Sequence, residues 1–143
     1  IIQDADTEYD PGDYGRLIEA LECAPRNPGR PSVVYGVRDT SSQPFIGHLG
    51  NRFLTVMTNL LCGTNLRDME TCYKLVPTGL MRQLNLESRG FEIEPEITAK
   101  LALRRAEFVQ VPVSYRPRKE KKLRRVRDGI RSLAALLRYR FSG

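Results

Sequence analysis

Two kinds of apolar pattern alternate along this chain, and the alternation constrains the fold more than any other feature. Short β-prone runs occur at residues 32–35 and 108–113. Between them, apolar residues such as Leu49, Phe53 and Met57 recur at helical spacing. A strand that leads through a loop into a helix is typical of an α/β unit. The sequence therefore predicts an α/β fold.

The C-terminal part of the chain is strongly basic. Residues 116–140 hold eleven Lys and Arg against two acids, so this segment carries a charge of +9 and the rest of the chain −3, for a total of +6. Apolar residues from Val126 to Phe141 recur on one side of a predicted helix, with arginines elsewhere. A basic amphipathic helix of this kind favours an anionic partner, either lipid headgroups or nucleic acid.

Cysteine, histidine and hydropathy exclude several classes of protein. Cys23, Cys62 and Cys72 are odd in number and widely spaced, so neither a disulfide framework nor a zinc site is expected. One histidine, His48, is too few for a histidine-based catalytic triad. No apolar run approaches the ~18 residues of a membrane span, and no signal peptide is recognisable. The default location is therefore the reducing cytoplasm, and any metal must be held by carboxylates.

An acidic turn near the N-terminus is the sharpest chemical signal. Ile1 and Ile2 are predicted to end a buried strand, and Asp4, Asp6 and Glu8 follow it. Mg²⁺ and Mn²⁺ prefer oxygen ligands, and such an ion can bridge the phosphates of a sugar-nucleotide donor. The alternative is that these acids only stabilise the start of the helix that follows.

Several motifs, taken together and in order, strengthen the first interpretation. The segment Ile-Gln-Asp-Ala-Asp-Thr-Glu-Tyr-Asp-Pro at 2–11 resembles the metal-binding segment of inverting family-two glycosyltransferases with the GT-A fold. The resemblance is greatest to the dolichyl-phosphate mannosyltransferase-like and undecaprenyl-phosphate sugar transferase branch. Further matching segments are Val-Tyr-Gly-Val-Arg at 34–38, Gly-Asn-Arg-Phe-Leu-Thr at 50–55, Thr-Asn-Leu-Arg-Asp-Met-Glu-Thr-Cys-Tyr-Lys at 64–74, Gly-Phe-Glu-Ile-Glu-Pro-Glu-Ile at 90–97 and Val-Pro-Val-Ser-Tyr-Arg-Pro-Arg at 111–118. The resemblance implies the C-terminal portion of a GT-A, Rossmann-like mixed sheet flanked by helices.

The resemblance also implies roles for residues on the donor side. Asp6 becomes the expected direct ligand of Mg²⁺ or Mn²⁺, Asp4 a metal or donor contact, and Glu8 a further carboxylate near the cation. Arg38 is expected near the donor or acceptor phosphates. The alternative for Arg38 is a solvated loop arginine.

A second set of implied roles concerns the acceptor side. Asp68 and Glu70 are expected to line the acceptor cleft, where one would act as general base on a hydroxyl, or both would only position a phosphate that is already ionised. For Asp68, capping of a turn is an equal alternative. Arg118, or Arg116 in a shifted register, is expected to hold a phosphate through its planar guanidinium fork.

The chain departs from the family pattern at its start. Family members begin with a nucleotide-binding strand and a Pro-x-Tyr-Asn-Glu-like motif, which this sequence lacks. We therefore expect residues 1–118 to form a partial GT-A domain that binds nucleotide poorly by itself. Residues 119–143 are expected to form a basic link and a helix that lies on a membrane surface, which predicts a peripheral protein at the cytoplasmic membrane face.

The predicted function is metal-dependent transfer of a hexose, mannose or glucose, from a GDP- or UDP-linked donor to a polyprenyl phosphate. Two alternatives stay open at this point. A basic nucleic-acid-binding module would show salt-sensitive binding to RNA or DNA. An inactive remnant would associate only with a membrane or a partner.

Overall fold

A small mixed sheet forms the centre of the molecule. The structure is a computed structural model that describes residues 1–4, 7–41, 45–117 and 125–141. Strands β1 (Ser32–Arg38), β2 (Lys74–Leu75) and β3 (Glu107–Val113) lie in the order β2-β1-β3. β1 is antiparallel to β2 and parallel to β3. The prediction of an α/β fold is confirmed, in the form of a three-stranded mixed sheet flanked by helices.

Five α-helices accompany the sheet in the described part of the chain. They are α1 (Tyr14–Glu22), α2 (Phe45–Cys62), α3 (Thr78–Gln83), α4 (Ile93–Leu103) and α5 (Arg125–Phe141). A short 3-10 turn precedes α1, and the side chain of Asp10 accepts a hydrogen bond from the N–H of Gly12 at 2.9 Å at its start. Gly63 follows α2 with φ of 66°, a left-handed conformation that commonly ends a helix. None of the described helices combines the length and apolar character that crossing a bilayer requires.

Alternate residues of β1 belong to two different apolar clusters, because successive side chains of a strand point to opposite faces. Val33 and Tyr35 pack with Ile97 of α4 and with α2 on one face. Val34 packs with Leu17 of α1 on the other face. The sheet is therefore covered by α1 on one side and by α2 and α4 on the other.

α5 packs onto this second helical layer. Its residues Ala135, Leu136 and Tyr139 are buried against Ala99 of α4, with Met57 of α2 at the margin of the same cluster. The guanidinium of Arg140 donates from Nε to the backbone oxygen of Leu61 at 2.7 Å, near the end of α2. α4 is consequently enclosed by the sheet, α2 and α5, which explains why even Glu96 and Thr98 of this helix are buried.

The carboxyl ends of β1 and β3 lie at the same edge of the sheet, where Arg38 pairs with Val113 in the parallel register. The segment before α1 returns to this edge, because Tyr9 forms an isolated antiparallel bridge with Tyr115. Ligand sites in open α/β sheets form outside the carboxyl ends of the strands. Four of the polar residues singled out in the sequence, Glu8, Arg38, Asp68 and Glu70, lie near this edge.

Candidate active site

An almost buried ion pair joins Arg38 to Asp68. Arg38 Nε and Nη2 donate to the two carboxylate oxygens of Asp68 at 2.6 and 2.8 Å, and the backbone N–H of Arg38 donates to Oδ2 at 3.2 Å. The two side chains are 9% and 6% exposed. Burial by itself lowers the pKa of the guanidinium, but the hydrogen bonds and charge of Asp68 outweigh burial and raise the pKa of Arg38. Arg38 is therefore a fixed cation held by a two-pronged carboxylate contact.

The acidic N-terminal segment is tied to this pair through an aromatic ring. The guanidinium of Arg38 lies 5.2 Å from the ring centre of Tyr115, a cation–π contact. The hydroxyl of Tyr115 donates to Oε2 of Glu8 at 3.2 Å, and the backbone N–H of Arg116 donates to the Glu8 carbonyl at 2.8 Å. Tyr115 and Arg116, which follow β3, thus hold Glu8 near the end of β1.

A second link connects the N-terminal segment to the loop that carries Asp68. The buried hydroxyl of Tyr9 accepts a hydrogen bond from the N–H of Cys72 at 3.1 Å, and burial raises the pKa of that phenol. Burial also raises the pKa of the Cys72 thiol to about 11, against the opposing effect of a backbone hydrogen bond from Asp4. Asp4 itself is exposed. Asp4 and Glu8 therefore flank the loop that holds Asp68 and Glu70.

Glu70 is the most perturbed carboxyl group of the site. Its Oε1 atom is buried and has no hydrogen-bond partner among the described residues. Burial raises the pKa of Glu70 to about 7, while the charges of Lys74 and Arg38 act in the opposite direction. A carboxyl group poised near neutral pH has the protonation behaviour of a general acid or base.

Lys74 is fully buried beneath this loop. Its ammonium group donates to the backbone oxygens of Met69, at 3.0 Å, and Thr71, and it forms an ion pair with Glu94. The same ammonium lies 4.9 Å from the ring centre of Tyr35. Lys74 therefore fastens the acidic loop to β1 and to the start of α4.

A cavity of about 300 Å³ opens beside the ion pair, between α2 and the loop that follows it. Its charged walls are Arg38, Arg52 and Arg67 against the single carboxylate of Asp68. Arg52 and Arg67 are exposed, whereas Arg38 is committed to Asp68. Polar side chains complete the wall, including His48, whose Nδ1 lies 2.8 Å from the hydroxyl of Thr40. The cavity is cationic and suits an anionic group.

The structure brings together four of the residues that the sequence singled out, namely Glu8, Arg38, Asp68 and Glu70. Arg116 is exposed and contributes its backbone to the contact with Glu8. Asp6 and Arg118 lie outside the described residues. The predicted roles of these residues are still predictions.

The oxygen donors of the N-terminal segment have the chemistry that Mg²⁺ or Mn²⁺ prefers. In the part of the chain that is described, no three His, Cys, Asp or Glu side chains are grouped closely enough to hold a metal ion. Asp4 and Glu8 supply two carboxylates, and Asp6 would have to supply the third. The residues therefore fit a hard divalent ion in ligand type.

Sequence reasoning assigned no role to Arg52, Arg67, Lys74 or Tyr115. Arg52 lies one position before Phe53 in the predicted helix, so its spacing already placed it beside the apolar residues of α2. The position of Arg67 next to Asp68 was a similar signal. The local sequence does not indicate that the ammonium of Lys74 is buried, because its partners come from separate segments of the chain.

The arrangement can bind an anion in the cavity, and Glu70, whose pKa burial raises to about 7, follows the cavity residue Asp68 by two positions in the same loop. It offers phosphate recognition by Arg52 and Arg67 and a rigid cation in Arg38. Such a site is suited to chemistry on phosphorylated substrates. Comparison with protein-family models, with curated proteins and with solved structures gives no match to this chain.

Proposed function

We propose that this chain provides the acceptor side of a metal-dependent inverting glycosyltransferase, which moves a hexose from a nucleotide-diphospho-sugar to a polyprenyl phosphate. The observation that carries the proposal is the cationic cavity at the carboxyl end of β1, with the acidic segment of Asp4 and Glu8 beside the same loop. The motif resemblance over residues 2–118 supports the same reading and supplies the GT-A family as the proposed fold.

The acceptor phosphate is assigned to the cavity. Three arginines face one carboxylate there, and Asp68 is already paired with Arg38. Arg52 and Arg67 are exposed and can turn toward a phosphate without breaking a buried contact. Guanidinium groups bind phosphate oxygens through paired hydrogen bonds, which favours orientation as well as affinity.

The transfer step needs little proton movement. An ionised phosphate oxygen attacks the anomeric carbon, and the bond from that carbon to the donor diphosphate breaks with its electron pair leaving on the nucleoside diphosphate. Inversion follows because attack and departure occur on opposite faces of the sugar. Asp68 then holds Arg38 in place, and Glu70 is required as a base only for a hydroxyl acceptor.

Asp4, Asp6 and Glu8 would hold the Mg²⁺ or Mn²⁺ ion. When bound, this ion neutralises charge on the departing diphosphate. The carboxylate of Glu8 is oriented by the hydroxyl of Tyr115, which also contacts Arg38 through its ring. Donor and acceptor sides are therefore coupled through Tyr115.

The proposed place of action is the cytoplasmic face of a membrane. α5 contains five arginines and one aspartate, a net charge of +4 within 17 residues. Each cation near an anionic leaflet contributes about 1 kcal/mol of attraction. A polyprenyl phosphate is confined to such a surface, so the proposed partners are an anionic membrane and its lipid-linked acceptor.

Binding of farnesyl phosphate, a short polyprenyl phosphate, tests the acceptor assignment by calorimetry. Arg52→Ala should weaken binding on the order of tenfold, because a hydrogen bond to a charged group contributes about 1.5–3 kcal/mol. Arg82→Ala is the matched control, since Arg82 is an exposed arginine on α3 outside the cavity. Farnesol, which lacks the phosphate, should bind far more weakly than farnesyl phosphate.

Metal and donor form the second arm of the test. Binding of Mn²⁺ can be measured by electron paramagnetic resonance, and it should be lost in Asp6→Asn and kept in Asp39→Asn. Transfer of hexose from GDP-mannose or UDP-glucose should require the metal. Equal binding of farnesol and farnesyl phosphate would refute the acceptor site. Salt-dependent RNA binding without any affinity for farnesyl phosphate would favour the nucleic-acid alternative.

A further inference from the structure

α2 carries an exposed apolar ridge, made of Leu49, Phe53, Val56 and Leu60. Their spacing of four, three and four residues places them on one face of the helix. Each is between 47% and 74% exposed. Leu54 and Thr58, on the opposite face, are buried in the protein. The ridge therefore points away from the core, and contiguous exposed apolar surface of this kind marks an interaction site.

The neighbouring helix has a similar ridge. Ile130, Leu137 and Phe141 of α5 are 40% to 71% exposed, and their spacing of seven and four again selects one face. α5 is buried through Ala135, Leu136 and Tyr139, on the side away from its ridge. The two helices pack against each other. Two exposed apolar ridges thus lie on helices that contact each other.

Positive charge lies beside both ridges. α2 has no acidic residue in its 18 positions, and Arg52 stands next to Phe53. On α5, Arg127 is exposed one turn before Ile130. Arg131 and Arg138 are more than half exposed, and they form surface ion pairs with Glu92 and Glu87. The two helices together carry +5, from six arginines and one aspartate. An apolar face with a cationic margin is complementary to an anionic lipid surface.

The charge also argues against a second copy of the chain as the partner. A two-fold contact between these ridges would bring the same cationic margins together. Like charges at an interface oppose association. An anionic bilayer instead offers acyl chains to the ridges and opposite charge to the arginines.

We propose that the α2 ridge, together with the α5 ridge, inserts into the headgroup and upper acyl region of an anionic phospholipid bilayer. Val56 belongs to the ridge and also lines the cationic cavity. Insertion therefore sets the mouth of the cavity at the level of the lipid phosphates. This inference rests on the proposed function only in the identity of the lipid-linked acceptor, since insertion itself requires no acceptor.

The chain contains no tryptophan, so one introduced tryptophan reports on its own position. Phe53→Trp places the reporter on the α2 ridge. Ile18→Trp is the matched control, because Ile18 is also exposed, at 45%, but belongs to α1 on the other side of the sheet. The probe is a vesicle of equal parts phosphatidylcholine and phosphatidylglycerol, with brominated lipid as quencher.

Vesicles should shift the emission of Phe53→Trp to the blue and allow its quenching, and should leave Ile18→Trp unchanged. The double variant Phe53→Ser/Leu60→Ser should bind vesicles at least about tenfold more weakly than the parent, with circular dichroism confirming that it is folded. High salt should also weaken binding of the parent chain.

Three results would overturn the inference. The first is an unshifted emission spectrum for Phe53→Trp at saturating lipid, and the second is equal quenching of Phe53→Trp and Ile18→Trp. The third is a dimer of the parent chain that Phe53→Ser dissociates, because this would assign the ridge to self-association. The vesicles contain no polyprenyl phosphate and no nucleotide-sugar. Failure of vesicle binding is thus measured separately from failure of farnesyl phosphate binding or of hexose transfer.

Discussion

Replacing Lys74 with methionine should cause a large loss of stability, because the ammonium of Lys74 is the common partner of three oxygen acceptors. Methionine keeps a long flexible side chain but leaves the Glu94 carboxylate and the carbonyls of Met69 and Thr71 without their donor. The acidic loop would lose its link to the start of α4, while the Arg38–Asp68 pair would still join it to β1. The variant therefore tests whether this buried cation fixes the loop of Asp68 and Glu70.

The size of the effect follows from burial. Removing one member of a buried ion pair costs about 3–5 kcal/mol, chiefly because the other charge is left unpaired. Glu94 is 14% exposed, so water can reach part of its carboxylate, and the lower end of this range applies. A loss of about 3 kcal/mol is a large part of the ~5–15 kcal/mol that stabilises a typical domain.

Urea unfolding monitored by circular dichroism measures the change in the free energy of unfolding. Lys74→Met/Glu94→Gln should recover at least ~1 kcal/mol relative to Lys74→Met, since the second change removes the unpaired charge. Arg82→Met, at an exposed position of α3, should change stability by less than ~0.5 kcal/mol. Should Lys74→Met prove unable to fold, Glu94→Gln alone is expected to cost ~1–2 kcal/mol, because the amide oxygen and the carbonyls of Met69 and Thr71 would still accept from the ammonium. A loss below ~1 kcal/mol for Lys74→Met would refute the reasoning.

Three further predictions concern neighbouring groups. Burial raises the pKa of Glu70 to about 7 in the folded chain, so the contribution of Glu70 to stability should decline as pH rises from about 4.5 to 7. We expect a decline on the order of 2 kcal/mol after allowance for solvent. Glu70→Gln should flatten this pH dependence of the free energy of unfolding in urea. Arg38→Lys should lower the free energy of unfolding by ~1–3 kcal/mol, because an ammonium cannot reproduce the two parallel bonds to Asp68. Glu96→Ala should cost ~3 kcal/mol, since the buried carboxylate accepts from the N–H groups of Glu87 and Ser88 and pairs with Lys100.

Each of these predictions has a distinguishing control. Glu19→Gln changes an exposed acid on α1 and should leave the pH dependence of stability as in the parent chain. An unchanged pH dependence in Glu70→Gln would contradict the assignment of this decline to Glu70. For Arg38, the exposed Arg26→Lys should be neutral, and equal stability of both variants would argue against the two-pronged pair. The exposed Glu22→Ala is the comparison for Glu96, and a similar small loss in both would show that the buried carboxylate contributes little.

Elements with a clear period or a clear end signal were predictable from the sequence. The β-prone run at 32–35 forms part of β1, and the residues at helical spacing from Leu49 onward lie in α2, which ends before Gly63. α4 has a weaker periodic pattern in the sequence, because a helix enclosed by the sheet, α2 and α5 is buried on most of its sides. Periodicity reports only the contrast between a buried and an exposed face.

The residues of the site were partly predictable, but their pairing was not. Arg38 and Asp68 were singled out individually, whereas their ion pair depends on the course of an irregular loop without apolar periodicity. Glu94 lies in the first turn of α4, where an acid favours the helix start, and its ion pair with Lys74 cannot be read from the local sequence. Contacts between segments distant in sequence require the fold, since local patterns carry no information on them.

The parallel pairing of β1 with β3 has a consequence for the order of folding. These strands are separated by the 68 residues from 39 to 106, so their pairing must close a long loop, which is a slow event compared with helix formation. Only after that closure can Gln110 of β3 hold the cavity wall, by accepting from the N–H of Arg67 and donating to the carbonyl of Asn65. Helices alone therefore leave the chain without a recognition site, and the capacity to bind an anion should emerge in the last kinetic phase of refolding.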